Sequence, residues 1–245
     1  MANQKEKRVK TGIPGFDELV EGGLPRGSSI LLSGSPSTGK TIFGLQFLYN
    51  GAKKYNEPGL YITCEDTEKK LVKAAARVGL KLKPMLESGR LAIKTFPVGG
   101  MFRRHLIKEI EKQREEGRIK RVVIDSLTTL NLRRSTEECQ SDMRTFSEQE
   151  KVNRFMFDFL KDLEKMAGIT KLLISEIEGD DERRLASDSA SPFMCDGIIF
   201  VRYNSMGGKC ARELVVRKMR FTRNKEAYHK LLMSDKGVAV RELGK

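Results

Sequence analysis

The residues from Gly34 to Thr41 have the types and spacing needed to bind a nucleoside triphosphate. They read Gly-Ser-Pro-Ser-Thr-Gly-Lys-Thr and match the phosphate-binding pattern G-x-x-x-x-G-K-S/T at every fixed position. Glycines let the backbone approach a ligand closely, so that successive N–H groups form a positively polarised nest at the start of a helix. Lys40 can then reach the β- and γ-phosphates, and the Thr41 hydroxyl can bind Mg²⁺.

The residues around this loop predict the elements that must position it. An apolar run, Ser29–Ser33, precedes the loop and predicts a strand, and the apolar residues of Ile42–Tyr49 recur at helical spacing. A Gly-rich turn that ends in Lys-Thr by chance is the alternative, and the order of strand, loop and helix favours the phosphate site over it. The predicted loop contacts to the nucleotide are Gly34, Ser35, Pro36, Ser37, Thr38, Gly39, Lys40, Thr41 and Ile42.

A second strand pattern ends in a carboxylate suited to a metal. The run Arg121–Ile124 predicts a buried strand, and Asp125 follows it directly. An Asp at the carboxyl end of a strand beside a phosphate loop can hold Mg²⁺, directly or through water. Asp also begins many ordinary turns, but the preceding phosphate loop favours the metal role. We therefore predict that Thr41 and Asp125 hold Mg²⁺.

The composition of the chain bounds its class. Its 245 residues carry 46 Lys and Arg against 33 Asp and Glu, a formal net charge of +13. Basic and acidic residues are interleaved, so a solvated surface explains them as well as a weak, non-specific contact with nucleic acid does. The four cysteines are far apart, which argues against a zinc site or a disulfide framework. No apolar run is long enough for a signal core or a membrane span, so we expect a cytoplasmic protein with no membrane partner.

The segment Thr11–Gly27 is a predicted short helix between Gly and Pro turns. Its spacing from the phosphate loop resembles the entry to the RecA-type ATPase core of the KaiC family, and the resemblance extends from about residue 11 to residue 241. It implies an α/β fold with a mostly parallel central sheet, flanking helices and an antiparallel C-terminal edge. Residues 1–10 are predicted to be a flexible tail, and 11–245 a single domain.

The same resemblance assigns roles to the carboxylates Glu65 and Asp66, which follow the predicted strand Gly59–Cys64. In KaiC-like proteins the first of two such acids orients and activates the attacking water. A carboxylate suits this role because it can accept a proton from water beside the γ-phosphate. For Asp66 we favour the alternative, in which Asp66 or Thr67 caps the predicted helix Glu68–Val78.

The resemblance also implies a homo-oligomer, most simply a hexameric ring. Lys218-Met219-Arg220 matches the family's Lys-x-Arg element, whose cations reach the γ-phosphate bound by the neighbouring subunit. An edge strand with outward basic residues is the alternative. Ser175 and Glu176 resemble the position that senses the γ-phosphate, although an ordinary strand end would look similar. Most KaiC relatives have Gly where Ser37 stands, and Ser there is strained if its φ is positive.

Two further segments bear on function. Residues 131–152 lose apolar periodicity, and in RecA-type rings loops near this point face the central channel; we favour a plain surface loop over a DNA contact or a phosphorylation switch. Ala227 stands where a guanine-reading Asp would follow Asn224-Lys225, so ATP is the predicted nucleotide.

The resemblance therefore predicts an ATP-binding, slowly hydrolysing ring ATPase with a regulatory or signalling role. A DNA recombination accessory ATPase related to RecA or RadA is one alternative. An autokinase or a nucleotide-dependent scaffold is another.

Overall fold

A single mixed sheet organises the protein. The computed structural model describes residues 7–96, 102–132, 146–177, 184–204, 211–224 and 226–243. Within these ranges, nine strands form the main sheet in the order β11-β10-β9-β8-β3-β7-β6-β4-β5, and β1 and β2 pair separately. The strands are β1 (Arg8–Val9), β2 (Leu24–Pro25), β3 (Ser29–Gly34), β4 (Gly59–Thr63), β5 (Leu91–Thr95), β6 (Arg121–Asp125), β7 (Thr170–Glu176), β8 (Gly197–Asn204), β9 (Ala211–Met219), β10 (His229–Ser234) and β11 (Gly237–Glu242).

The direction of the strands confirms the predicted fold class. Strands β8, β3, β7, β6, β4 and β5 run parallel to one another, whereas β9, β10 and β11 continue the sheet from β8 in antiparallel order. The antiparallel C-terminal edge is therefore present, and it includes β10, which the sequence pattern did not predict as a strand. Parallel strands place all their carboxyl ends at one edge of the sheet.

Helices cover both faces of this sheet. The side chains of Ile30 and Leu32 belong to one apolar cluster with Phe43, while Leu31 belongs to the opposite cluster with Phe159. This alternation explains why β3 is a continuous apolar run, since a parallel strand is buried on both faces. Among the described residues, no helix is both long and apolar enough to span a bilayer. The helices are α1 (Lys40–Lys54), α2 (Glu68–Arg77), α3 (Lys83–Glu87), α4 (Phe102–Glu115), α5 (Leu127–Leu132), α6 (Glu148–Glu164) and α7 (Ala190–Met194), with a 3-10 helix at Asp17–Val20.

The structure corrects the prediction that residues 131–152 are a loop throughout. Helix α5 extends to Leu132, and α6 begins at Glu148, five residues before the predicted start at Asn153. The reason is a capping box, in which the Ser147 side chain accepts from the Glu150 N–H and the Glu150 carboxylate accepts from the Ser147 N–H. Residues 133–145, on which the predicted channel-facing role rests, lie outside the described residues.

The antiparallel edge is attached to α1 by one amide side chain. Gln46 Oε1 accepts a hydrogen bond from the Val238 N–H at 2.6 Å, and Gln46 Nε2 donates to the Val238 carbonyl at 3.0 Å. This two-point contact pairs the buried amide with a strand backbone and so fixes β11 against the helix. The neighbouring strand β10 thereby lies close to the phosphate loop, where Met233 packs against Gly39.

A buried guanidinium connects the N-terminal segment, α1 and β6. The Arg121 side chain is fully buried and donates to Glu57 Oε2 from Nε at 2.9 Å and from Nη2 at 2.6 Å. It also donates to the carbonyls of Phe47 and Lys10, each at 2.9 Å. A buried charge of this kind is tolerated because its donors meet a carboxylate and backbone acceptors.

We expect Arg121→Met to lower the free energy of unfolding by about 3–5 kcal/mol, because Glu57 and two backbone carbonyls lose their donor. Urea denaturation of the purified protein measures the change. Arg118→Met is the matched control, since Arg118 is 65% exposed and pairs with Glu116 at the surface. The control should change stability by at most about 0.5 kcal/mol. Equal losses of stability in the two variants would show that the buried hydrogen bonds of Arg121 contribute no more than a surface ion pair.

Candidate functional site

The phosphate loop lies where three neighbouring parallel strands end. Strand β3 ends at Gly34 and α1 begins at Lys40, so the loop joins them directly. In register, Gly34 lies beside Glu176 on β7, and Ile174 of β7 lies beside Asp125 on β6. The sheet therefore brings the loop, Asp125 and Glu176 to one edge, which is where open α/β sheets bind ligands.

Lys40 is the cation of the loop, and its side chain is 4% exposed. Its Nζ donates to the carbonyls of Gly34 at 2.9 Å and Ser35 at 2.7 Å, and it lies 3.5 Å from Glu176 Oε1. Burial lowers the pKa of Lys40, while the nearby carboxylates of Glu176 and Asp125 act in the opposite direction. The ammonium is thus held by partners that phosphate oxygens can replace.

Thr41 and Asp125, the predicted metal ligands, are in direct contact. Thr41 Oγ1 donates to Asp125 Oδ2 at 2.8 Å, and Tyr61 Oη donates to the same oxygen at 2.5 Å. Burial raises the pKa of Asp125, although the hydrogen bonds from Tyr61 and Thr41 and the charge of Lys40 oppose the rise. Tyr61 lies on β4, and its part in the site depends on the register of β4 against β6, which the sequence pattern does not show.

The donor set fits Mg²⁺. A hydroxyl and a carboxylate are hard oxygen ligands, and Mg²⁺ is usually held by one or two carboxylates together with phosphate oxygens and water. The described residues hold no cluster of three or more His, Cys, Asp or Glu that could enclose a metal by themselves.

Glu65 lies just beyond β4, at the same edge of the sheet. Its Oε1 accepts hydrogen bonds from Ser126 Oγ at 3.1 Å and from Thr129 Oγ1, both in or just before the first turn of α5. Partial burial of the carboxyl group raises the pKa of Glu65, the hydrogen bond from Ser126 opposes the rise, and the negative charge of Asp125 adds to it. The sequence pattern did not identify these two hydroxyl partners, because they become neighbours of Glu65 only when β4 pairs with β6.

The residues next to Glu65 follow the capping alternative. Thr67 is the N-cap of α2, and its side chain accepts from the Lys70 N–H at 3.4 Å. Asp66 lies 3.6 Å from the Lys70 ammonium on the first turn of the same helix. The two acids therefore have different surroundings, and the geometry associates Glu65 with the site and Asp66 with α2.

Ser175 and Glu176, at the end of β7, also differ in their surroundings. The Ser175 hydroxyl is fully buried and lies 3.4 Å from Thr128 Oγ1. Glu176 instead contacts Lys40, and its backbone N–H donates to Thr128 Oγ1 at 2.8 Å. Of the two residues, Glu176 is the one that the structure places at the phosphate loop.

Lys218 and Arg220 lie at the other end of the sheet. Lys218 pairs in register with Ile198 near the start of β8, whereas Gly34 pairs with Val201 in the middle of that strand. Lys218 Nζ donates to the carbonyls of Pro192 and Phe193, each at 3.2 Å, and Arg220 lies 3.3 Å from Asp196. The structure therefore does not bring these cations to the phosphate loop of their own chain.

Comparison with known proteins agrees with this geometry. The sequence model of the KaiC ATPase family matches residues 9–245. The chain belongs to the KaiC family of ATPases. A UPF0273 protein of Thermotoga maritima is 32% identical over 249 residues, covering 96% of each chain. The circadian clock oscillator protein KaiC of Synechococcus elongatus is 29% identical over an alignment of 250 positions, which covers 99% of this chain but 46% of that protein. A crystal structure of a KaiC-like protein from Pyrococcus horikoshii OT3 superposes with a TM-score of 0.81 at 31% identity, covering 96% of this chain and 99% of that one.

This KaiC-family chain has Ser37 in a strained backbone conformation. Its φ is 64°, in the left-handed region that glycine adopts freely and other residues adopt at a cost. From the sequence we expected strain at Ser37 only if its φ is positive, and the structure shows that it is. Thr38 stabilises the same turn, because its Oγ1 donates to the Ser35 carbonyl at 2.8 Å.

Proposed function

We propose that the protein binds ATP with Mg²⁺ and hydrolyses it slowly, as a homo-oligomeric ring with a regulatory or signalling role. The observation that carries this proposal is the meeting of Lys40, Thr41, Asp125 and Glu65 at the carboxyl edge of one parallel sheet. A cation, a metal-binding pair and a carboxylate base are the parts that phosphoryl transfer to water requires.

Binding begins with the backbone of the loop. The N–H groups at the start of α1 and the positive end of that helix favour the charge of the β- and γ-phosphates. Lys40 then exchanges the carbonyls of Gly34 and Ser35 for phosphate oxygens, which are stronger acceptors because they are charged. Thr41 and Asp125 would hold Mg²⁺, which when bound neutralises charge on the β- and γ-phosphates.

Hydrolysis requires a group that orients water and accepts its proton. Ser126 and Thr129 both donate to Oε1 of Glu65, and these hydrogen bonds limit the orientations of the carboxylate. We assign Oε2 as the acceptor for the attacking water. The raised pKa of Glu65 makes its carboxylate a stronger base than an ordinary surface glutamate.

The proposed assembly places Lys218 and Arg220 on a neighbour's γ-phosphate. These cations lie at the opposite end of the sheet from the phosphate loop, so one chain can offer them to the loop of the next. Two exposed aromatic residues adjoin these cations: Phe221, which follows Arg220 in sequence, is 72% exposed, and Phe193, whose carbonyl accepts from Lys218 Nζ, is 74% exposed. Exposed large apolar groups beside a cation pair support a protein contact at this end of the molecule.

We expect Glu65→Gln to keep ATP binding and to lower turnover by about 10²-fold, because the amide cannot accept the proton from water. Phosphate release at saturating ATP and titration with a fluorescent ATP analogue measure the two properties. Glu68→Gln, an exposed glutamate on the first turn of α2, is the matched control and should behave as wild type. Lys40→Ala should lose binding itself. Wild-type turnover by Glu65→Gln would contradict the role of Glu65.

Mixing two inactive variants tests the assembly. Glu65→Gln and Arg220→Ala should each be nearly inactive alone, yet an Arg220→Ala subunit retains its Glu65 and a Glu65→Gln neighbour offers an intact Arg220. Random assembly of equal amounts completes about one quarter of the interfaces, so about one quarter of wild-type turnover should return. Native mass spectrometry shows whether subunits have exchanged. Full exchange with no recovered turnover would rule out a cation donated between subunits.

A further inference from the structure

A tyrosine from a neighbouring strand contacts the strained residue of the phosphate loop. Tyr203 lies near the end of β8, two residues beyond Val201, which pairs with Gly34. Its Oη donates a hydrogen bond to the Ser37 carbonyl at 2.6 Å. β8 is the parallel neighbour of β3, so the strand that borders the loop also supplies this contact.

The hydrogen bond from Tyr203 reaches Ser37, whose backbone conformation is unfavourable. Ser37 has a φ of 64°, and for a residue with a Cβ this conformation is disfavoured by about tenfold or more relative to the right-handed region. The loop must nevertheless adopt it to direct its N–H groups toward one point. A hydrogen bond to the Ser37 carbonyl favours the strained conformation over relaxed ones in which that carbonyl points elsewhere.

The tyrosine is itself held in position. Arg212 is the direct cross-strand partner of Tyr203 on β9, and its guanidinium lies 5.3 Å from the centre of the Tyr203 ring. A cation over an aromatic face limits the directions that the ring can take. Tyr203 therefore belongs to a strand that is paired with β9, and not to the loop that its hydroxyl contacts.

We propose that Tyr203 is a positioning residue for ATP, which holds the Ser37 peptide in its left-handed conformation before the nucleotide arrives. The proposal rests on the proposed function, since it concerns how the ATP site is prepared. Without the hydrogen bond, the loop of part of the free protein would relax to a conformation that cannot bind ATP. The apparent affinity for ATP would then fall in proportion to the fraction of the protein that keeps the binding conformation. Once ATP is bound the loop is held by phosphate contacts, so the chemical step should change little.

The test compares wild type with Tyr203→Phe, Ser37→Gly and the double variant. We expect Tyr203→Phe to raise the ATP dissociation constant about fivefold, the scale of one hydrogen bond, and to leave kcat within about twofold. In the Ser37→Gly background the same change should raise the dissociation constant by less than about twofold, because glycine adopts a positive φ without strain. Isothermal titration and steady-state turnover measure these values, and thermal unfolding without nucleotide shows that the variants are folded.

Tyr228→Phe is the matched control, because Tyr228 also carries a guanidinium over its ring, that of Arg202 at 3.9 Å, and its hydroxyl pairs with Arg217. It should leave the dissociation constant unchanged. Unchanged affinity in Tyr203→Phe, or the same loss with and without the Ser37→Gly substitution, would overturn the proposal. A wild-type protein that binds no ATP would instead contradict the proposed function, so the two failures are distinguishable.

Discussion

The charge of Lys40, buried at the end of a parallel sheet, is the constraint on which the site depends. An ammonium in this position must be met by acceptors at short range, and the structure supplies two loop carbonyls and Glu176. Two glycines let neighbouring elements pack tightly against the loop. A Cβ on Gly34 would lie 2.0 Å from the Val201 carbonyl oxygen, and one on Gly39 would lie 2.9 Å from Met233 Cε.

The acids around Lys40 follow from the same constraint. Burial raises the pKa values of Asp125 and Glu65, and each acid is kept in place by hydroxyl donors rather than by a second cation. Hydroxyl groups orient a carboxylate without neutralising it, so both acids keep their capacity to act on a metal and on water. These features support the proposed ligand, which would bring both negative charge and a divalent cation.

The two ends of the sheet have different chemistry. The carboxyl ends of the parallel strands carry the phosphate loop with Asp125 and Glu65, while the other end of the sheet carries Lys218 and Arg220 near the exposed residues Phe193 and Phe221. A heterologous contact, in which one end of a subunit meets the other end of the next, generates rings when its rotation closes. Such a contact would make hydrolysis depend on assembly, and it would give nucleotide state a route to subunit contacts.

Local patterns predicted the strand before the phosphate loop, the loop itself and the position of Asp125, because each depends on consecutive residues, whereas the mostly parallel sheet was implied by the family resemblance. The contacts of Tyr61 with Asp125, of Thr129 with Glu65 and of Tyr203 with Ser37 depend on strand register and on turns between distant segments, which periodicity does not contain. The early start of α6 is different. Its Ser147-x-x-Glu150 capping box was present in the sequence and could have been found.

A crystal structure of the chain with Mg²⁺ and a non-hydrolysable ATP analogue would show whether the loop and Lys40 bind the phosphates. We expect Lys40 Nζ to leave the carbonyls of Gly34 and Ser35 and to lie about 3 Å from β- and γ-phosphate oxygens. We also expect a water between Glu65 Oε2 and the γ-phosphate. A nucleotide bound away from the loop, or one bound at the loop while Lys40 keeps both carbonyl contacts, would rule out this role of Lys40.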